Sequence, residues 1–123
     1  MLKFFAYIFL VSGNTAFAGP SSNVSQAEFV SPEQIKFDEI LPGAVQFGTV
    51  FGDRESGEHG TFVRIKKGES TPLHTHSAGY QAIVIQGIFE NPVPGIADSQ
   101  KPLKQGSYDS IHFEPGREKH TWS

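Results

Sequence analysis

Short runs of alternating apolar and polar residues occupy most of the chain after residue 44, a pattern typical of strands with one buried face. Each run is bounded by glycine, proline or acidic residues, and none is followed by a helical period. The runs are VQFGTVFG (45–52), TFVRIKK (61–67), TPLHTH (71–76), YQAIVIQGIFE (80–90) and SIHFE (110–114). Closely spaced short strands of this kind predict an all-β domain, built as an antiparallel sandwich or barrel.

The pattern upstream of residue 44 is weaker. In PEQIKFDEI (32–40), Ile35 and Phe37 alternate with polar residues, which predicts a first strand, with a short helical turn as the alternative. The preceding residues are small and polar, and we expect residues 19–34 to form a leader. The folded domain is therefore predicted to span residues 35–123.

The first eighteen residues have the composition of an export signal. Lys3 is followed by the apolar run FFAYIFLV, by polar SGNT and by the small-x-small sequence AFA, with cleavage expected between Ala18 and Gly19. A membrane-spanning helix needs about 20 apolar residues, and this run is far shorter. We therefore predict a signal peptide over 1–18, a periplasmic or secreted protein, and no membrane span after cleavage.

Charge and cysteine content narrow the function classes. The net charge is −3, and loss of Lys3, the only charged residue before Gly19, makes it −4. A mildly acidic protein has no electrostatic reason to bind nucleic acid. Because the chain contains no cysteine, disulfides and thiolate metal sites are excluded. The binding partners that remain compatible with this composition are small-molecule ligands and other proteins.

Two histidines separated by one residue suggest a metal site. On a strand, His74 and His76 would face the same side, and two neutral imidazoles can hold one divalent cation. Such a pair is also compatible with surface or packing residues, and a metal site needs a third ligand. His59 lies in the turn GEHG and is expected to be solvated, whereas His112 could face either side of its strand.

Glycine spacing around the pair resembles a known motif. The order Gly68, five residues, His74, one, His76, three, Tyr80, six, Gly87 is similar to the first motif of the cupin superfamily, where glutamate usually stands at the position of Tyr80. The segment FGDRESGEHGTFVRIKKGESTPLHTHSAGYQAIVIQG, with GSY and PGREKH, resembles the small cupins related to the metal-binding half of an anti-sigma factor and to acetylacetone-cleaving dioxygenases. The resemblance covers about residues 42–122.

The second cupin motif is matched in part. Pro115 stands five residues before His120, as the motif requires, but Gly116 is one position early and Gly106 is further from the proline than usual. The asparagine position of the motif falls beyond Ser123. Since the chain ends on the apparent strand HTWS, we expect a barrel that is incomplete at the C-terminus, either truncated or completed by a second copy in a homodimer.

The resemblance implies a cupin-type jelly-roll β-barrel with a divalent metal ion (Fe, Zn, Ni or Mn) in its mouth. The implied ligands are His74, His76 and His120. Spacing favours Tyr80 as a fourth ligand, and the amide oxygen of Gln81 is the alternative. For both residues, a place in the cavity wall without metal contact is an equally good interpretation.

Two function classes follow from this resemblance. One is an exported metal-dependent dioxygenase acting on a small enolisable compound, and the other is a metal-binding or ligand-binding sensor cupin without turnover. No acid or base is visible outside the metal shell, so no catalytic residue is assigned. Arg54, in the hairpin loop GDRESGEHG, is interpreted as part of a solvated turn rather than as a residue of the barrel mouth.

Overall fold

A computed structural model describes residues 5–12, 27–111 and 121–123. These residues are nearly all β, which confirms the predicted fold class. The strands are β1 (Phe5–Ser12), β2 (Phe37–Leu41), β3 (Val45–Gly52), β4 (His59–Lys66), β5 (Tyr80–Gln86), β6 (Ile88–Phe89), β7 (Leu103–Lys104) and β8 (Tyr108–Ile111). Two 3-10 helices span Pro32–Gln34 and Ala97–Gln100. Within the described part of the chain, no helix has the length and apolar character needed to cross a membrane.

The strands form two antiparallel sheets. Six strands are ordered β2-β3-β4-β1-β5-β8, and β6 pairs with β7. Alternate residues of the central strands point into one core, which also receives Phe89 and Trp122. Among the described strands the large sheet does not close on itself, and β2 and β8 are its edges. The architecture is that of a β-barrel or sandwich of the jelly-roll kind, open along one side.

Strand β1 lies in the middle of the large sheet, between β4 and β5, and is antiparallel to both. Ile8 is 1% exposed and Leu10 is 3% exposed, so the strand contributes to the core. Residues 5–12 of the expected signal peptide are therefore paired within the sheet. The apolar run of an export signal also meets the requirement of a central strand, because both need uninterrupted apolar residues. Cleavage after Ala18 stays a prediction, and it would remove β1.

Several predicted runs match the strands closely. The run at 45–52 coincides with β3, and the run at 61–67 corresponds to β4. The run at 80–90 divides into β5 and β6 at Gly87, whose φ of 83° is strained for any residue with a side chain. Upstream, both alternatives occur in succession, since a 3-10 turn at Pro32–Gln34 precedes β2.

The run TPLHTH (71–76) was expected to be a strand, and this expectation is wrong. Its residues form no strand and make only an isolated bridge at His74. Pro72 lacks an N–H group and removes one ladder hydrogen bond, which is one reason why regular pairing fails there.

The last predicted run begins earlier than expected, at Tyr108, and its residues 112–114 lie outside the described residues.

The last three residues are hydrogen-bonded on both sides. The Thr71 N–H donates to the Trp122 carbonyl over 2.8 Å, and the Trp122 N–H donates to Thr71 Oγ1 over 2.9 Å. On the other side, Ser123 and Glu90 exchange two backbone hydrogen bonds of 2.8 and 3.0 Å. These bonds place the Trp122 ring, which is 2% exposed, beneath the histidine pair.

Candidate metal and ligand site

A cavity of about 430 Å³ lies at one end of the core. Strands β3 and β4, the segment 71–76 and Trp122 contribute to its wall. Much of the lining is apolar, with side chains such as Val45, Phe47, Val63 and Trp122. A few polar side chains interrupt this surface, which is the usual composition of a small-molecule site.

The two histidines of the motif meet in the wall of this cavity. Nε2 of His74 lies 3.1 Å from Nε2 of His76. Two nitrogens bound to one ion at about 2.0–2.1 Å, with bond angles of about 100–110°, are about 3.1–3.4 Å apart. The separation of the two imidazoles is therefore the separation that two ligands of one metal ion require.

His74 is held in place from its other ring nitrogen. Nδ1 lies 2.8 Å from the carbonyl oxygen of Pro72, and a carbonyl can only accept, so Nδ1 carries the proton. This tautomer leaves the lone pair on Nε2, the nitrogen that faces His76. The Trp122 ring packs edge-on against the His74 imidazole, with ring centroids 5.1 Å apart. A carbonyl partner of this kind orients a histidine that binds a metal.

The surroundings of His76 keep its imidazole neutral. Burial, followed by the neighbouring His74 and His59, lowers the pKa of His76 to about 4. Its ring packs against Tyr80 and Trp122, with centroid distances of 5.0 and 5.2 Å. A neutral imidazole is the form that binds a metal ion, so the environment of His76 favours coordination near pH 7.

Tyr80 and Gln81 lie on opposite faces of β5. Tyr80 is 2% exposed and points inward, whereas Gln81 is exposed on the outer face. In this arrangement Gln81 does not share the cavity with the histidines, which removes the basis for proposing it as the fourth ligand. The hydroxyl of Tyr80 accepts hydrogen bonds from Asn91 Nδ2 over 2.7 Å and from Trp122 Nε1 over 3.2 Å. These bonds favour a structural place for Tyr80, packed against His76 behind the cavity wall, over coordination.

The Tyr80 hydroxyl belongs to a buried polar network that sequence reasoning missed. Asn91 Nδ2 also donates to Asp109 Oδ2 over 2.6 Å. Burial raises the pKa of Asp109, and burial together with the Asp109 charge raises the pKa of Tyr80. Asp109 lies on β8 opposite Ala82, next to Tyr80. Asp109 stands one residue before the predicted run 110–114, and nothing in the sequence indicated its partners.

His59 and Arg54 also line the cavity, which the sequence did not suggest. His59 is the first residue of β4 and is half-buried, with Nδ1 2.7 Å from Thr61 Oγ1. Burial, followed by the nearby Arg54 charge, lowers the pKa of His59. The Arg54 side chain is 24% exposed, so the interpretation as a solvated turn residue is wrong. The other residues of the turn are exposed, and the Arg54 side chain alone turns towards the Phe47 ring.

The third predicted ligand, His120, lies outside the described residues, as do His112 and Pro115. Among residues 5–12, 27–111 and 121–123, no group of three histidine or acidic side chains is arranged to hold a metal ion. The described donors therefore fit two ligand positions of a metal site, supplied by His74 and His76. Imidazole nitrogen is a ligand that Zn, Fe and Ni accept, whereas Mn prefers oxygen ligands.

Fold and site together define a cupin, a small antiparallel β-barrel with a histidine pair at its cavity. The family model described as ChrR Cupin-like domain matches residues 25–122. The chain belongs to the ChrR Cupin-like domain family, which confirms the resemblance to the anti-sigma-factor branch of the cupins. No curated protein and no solved structure matched the chain. Family membership supports a cupin-type metal-binding or sensor function.

Proposed function

We propose that this protein is a metal-binding cupin whose cavity takes up a small organic ligand next to the metal ion. The observation that carries the proposal is the 3.1 Å separation of the Nε2 atoms of His74 and His76 in the wall of a cavity of about 430 Å³. His120 is proposed as the third ligand, on the strength of its motif spacing. Tyr80 then packs against His76 without coordinating.

The donor set determines which ligands suit the site. Both imidazoles are neutral donors, and glutamate is replaced by Tyr80 at the usual fourth position. A divalent ion held only by neutral donors keeps its full charge and favours anionic ligands such as carboxylates and enolates. The buried apolar wall strengthens this preference, since charges attract each other more strongly where water is excluded.

Binding without turnover is the function that the described residues support best. Asp109 is an acidic residue next to Tyr80. Its carboxylate accepts a hydrogen bond from Asn91, and burial raises its pKa. Of the described histidines, His74 and His76 would be occupied by metal binding, and His59 is the other imidazole of the cavity wall. Its Nδ1 lies 2.7 Å from Thr61 Oγ1. A sensor or carrier role needs no base, whereas turnover would have to use His59.

A dioxygenase acting on a small enolisable compound is the second candidate, and the neutral donor set is the observation that favours it. Such an enzyme requires a ligand that binds as an enolate and a metal ion that reacts with oxygen.

The experiment that separates the two candidates uses purified protein loaded under anaerobic conditions with iron(II) or with zinc. Oxygen uptake is then followed with acetylacetone and related diketones. Uptake that depends on both iron and the diketone, and that is lost in His76→Ala, identifies a dioxygenase. Saturable binding of the diketone without oxygen uptake identifies a binding protein. Absence of metal binding in every case contradicts the proposed function itself.

Export is proposed on the basis of the N-terminal signal pattern alone. It has a structural consequence, since removal of residues 1–18 takes β1 out of the space between β4 and β5. The processed chain would then need another strand for these two edges, and a second copy in a homodimer is the partner we propose. Mass spectrometry of the protein isolated from the producing cell, combined with its molecular mass in solution, tests both points.

A further inference from the structure

The turn between β3 and β4 is held by the side chain of Asp53. Its Oδ1 accepts a hydrogen bond from the Glu55 N–H over 2.9 Å, and its Oδ2 accepts one from Ser56 Oγ over 2.8 Å. The Gly57 N–H donates to the Asp53 carbonyl over 3.0 Å. The turn therefore has a defined conformation, and within it the Arg54 side chain lies against the sheet while the side chain of Glu55 is 81% exposed.

The guanidinium of Arg54 is only partly satisfied. Its Nε lies 3.6 Å from a carboxylate oxygen of Glu55, and its Cζ lies 5.4 Å from the centre of the Phe47 ring. Its Nη1 is buried and has no hydrogen-bond partner among the described residues. A buried donor of a charged group without an acceptor is unfavourable, and most such groups in folded proteins are paired. The Nη1 donor therefore indicates that this position is built for an acceptor.

The cavity next to Arg54 identifies the kind of acceptor. Arg54 is the single lysine or arginine among the described residues that line it, and much of the remaining wall is apolar. Glu55 also lines the cavity, but its side chain is 81% exposed and its carboxylate lies 3.6 Å from Nε, so Nη1 stays without an acceptor in the described part of the chain. A buried guanidinium donor beside a mostly apolar wall suits a monoanion with an apolar body. The planar guanidinium matches a carboxylate, which can accept two parallel hydrogen bonds from it. Inorganic phosphate would bring more charge than one arginine neutralises.

We propose that Arg54 is a specificity-determining residue that binds the carboxylate of a small organic acid in the cavity. The inference rests on the proposed function in one respect, namely that this cavity is the ligand site. It does not depend on the metal ion. Arg54 holds the carboxylate at the β3–β4 turn, and the body of the acid extends along the apolar wall towards His76.

Isothermal titration of the full chain with four acids and their amides tests the proposal. Acetate, benzoate, phenylacetate and 4-phenylbutyrate are each compared with the amide of the same shape, which lacks the charge. We expect at least one acid to bind about tenfold to hundredfold more tightly than its amide. In Arg54→Gln this preference should disappear, and Arg54→Lys should retain part of it. Lys66→Gln, which neutralises an exposed cation outside the cavity lining, is the matched control and should leave the preference unchanged.

Each titration is run on chelator-treated protein and on zinc-loaded protein, so that failure of the metal site is distinguishable from failure of the inference. A preference that depends on Arg54 in the chelator-treated protein supports the inference even if no metal binds. Three results overturn it: no acid binds more tightly than its amide, the preference survives Arg54→Gln, or the preference exists only in the zinc-loaded protein and is insensitive to Arg54. Thermal unfolding of each variant verifies that it is folded.

Discussion

Nε2 of His74 and Nε2 of His76 lie 3.1 Å apart, although the segment that carries them is not a strand. The pair is held by the carbonyl of Pro72 on one side and by the ring of Trp122 on the other. Trp122 is itself fixed by its backbone hydrogen bonds to Thr71. If the two imidazoles share one metal ion, as proposed, this arrangement lowers the entropy lost on binding.

Tyr80→Phe should destabilise the protein without removing the metal ion. The variant loses the oxygen that accepts hydrogen bonds from Asn91 and Trp122, both of which are buried. We expect the free energy of unfolding in urea to fall by about 1–3 kcal/mol, with unchanged metal content. Gln81→Ala, on the exposed face of the same strand, is the control and should change neither quantity by much. If Tyr80→Phe lost metal at full stability, the hydroxyl would be a ligand.

The Asp109 carboxyl should make stability depend on pH. Burial raises its pKa in the folded state above the ordinary value of about 3.9. Below that value both states are protonated. As the pH rises towards the folded pKa, the unfolded chain loses its proton first, so the free energy of unfolding falls. The Asp109→Asn variant has no carboxyl at this position, so its free energy of unfolding should not fall in this way.

Urea unfolding of wild type and Asp109→Asn between pH 3 and pH 7 measures the effect. The variant should gain stability relative to wild type as the pH rises, and the difference should shrink towards pH 3. The Asn91 Nδ2 donor keeps an acceptor in the variant, because an asparagine side chain also offers an oxygen. A difference that is constant with pH, or that decreases as pH rises, would show that the carboxyl is not penalised by burial.

The placement of β1 can be tested with engineered cysteines, because the chain has none of its own. Val11 lies directly opposite Gln81, and neither side chain is buried. In the chain that retains residues 1–18, Val11→Cys/Gln81→Cys should form an intrachain disulfide on mild oxidation. In the control Tyr7→Cys/Gln81→Cys, the cysteines are offset by four residues, about 13 Å along the strands.

Electrophoresis without reductant distinguishes the outcomes. If Val11→Cys/Gln81→Cys forms an intrachain disulfide rapidly and the control forms none, the placement of β1 is supported. If the two variants form the intrachain disulfide to the same extent, residues 5–12 do not occupy this position. Bonding between chains would indicate that the segment inserts into a second copy.

The fold was predictable where side chains alternate strictly. Strand β5 begins at the predicted residue, and its buried and exposed residues alternate from Tyr80 to Val84. Strand β3 matched its predicted range because turn residues bound it, although its burial does not alternate strictly. At residues 1–18 the sequence has two interpretations, because an export signal and a buried strand share the same apolar composition. The prediction failed at 71–76, where a proline interrupts a run that otherwise alternates.

The site was predictable only as far as it is local in the sequence. His74 and His76 are two residues apart, and glycine spacing drew attention to them. Arg54, His59 and Asp109 reach the site through tertiary packing, and residue type alone did not distinguish them from solvated residues. Trp122 is distant from the pair in sequence and contacts it only because its backbone pairs with Thr71.

Metal titration of three proteins tests the central claim most directly: wild type, His76→Gln and the control His59→Gln, which changes another histidine of the same cavity wall. The account predicts about one divalent ion per chain in wild type and in His59→Gln, and an affinity reduced at least about a hundredfold in His76→Gln, because a direct ligand is lost. Metal bound equally well by wild type and His76→Gln, with both proteins folded, would contradict it.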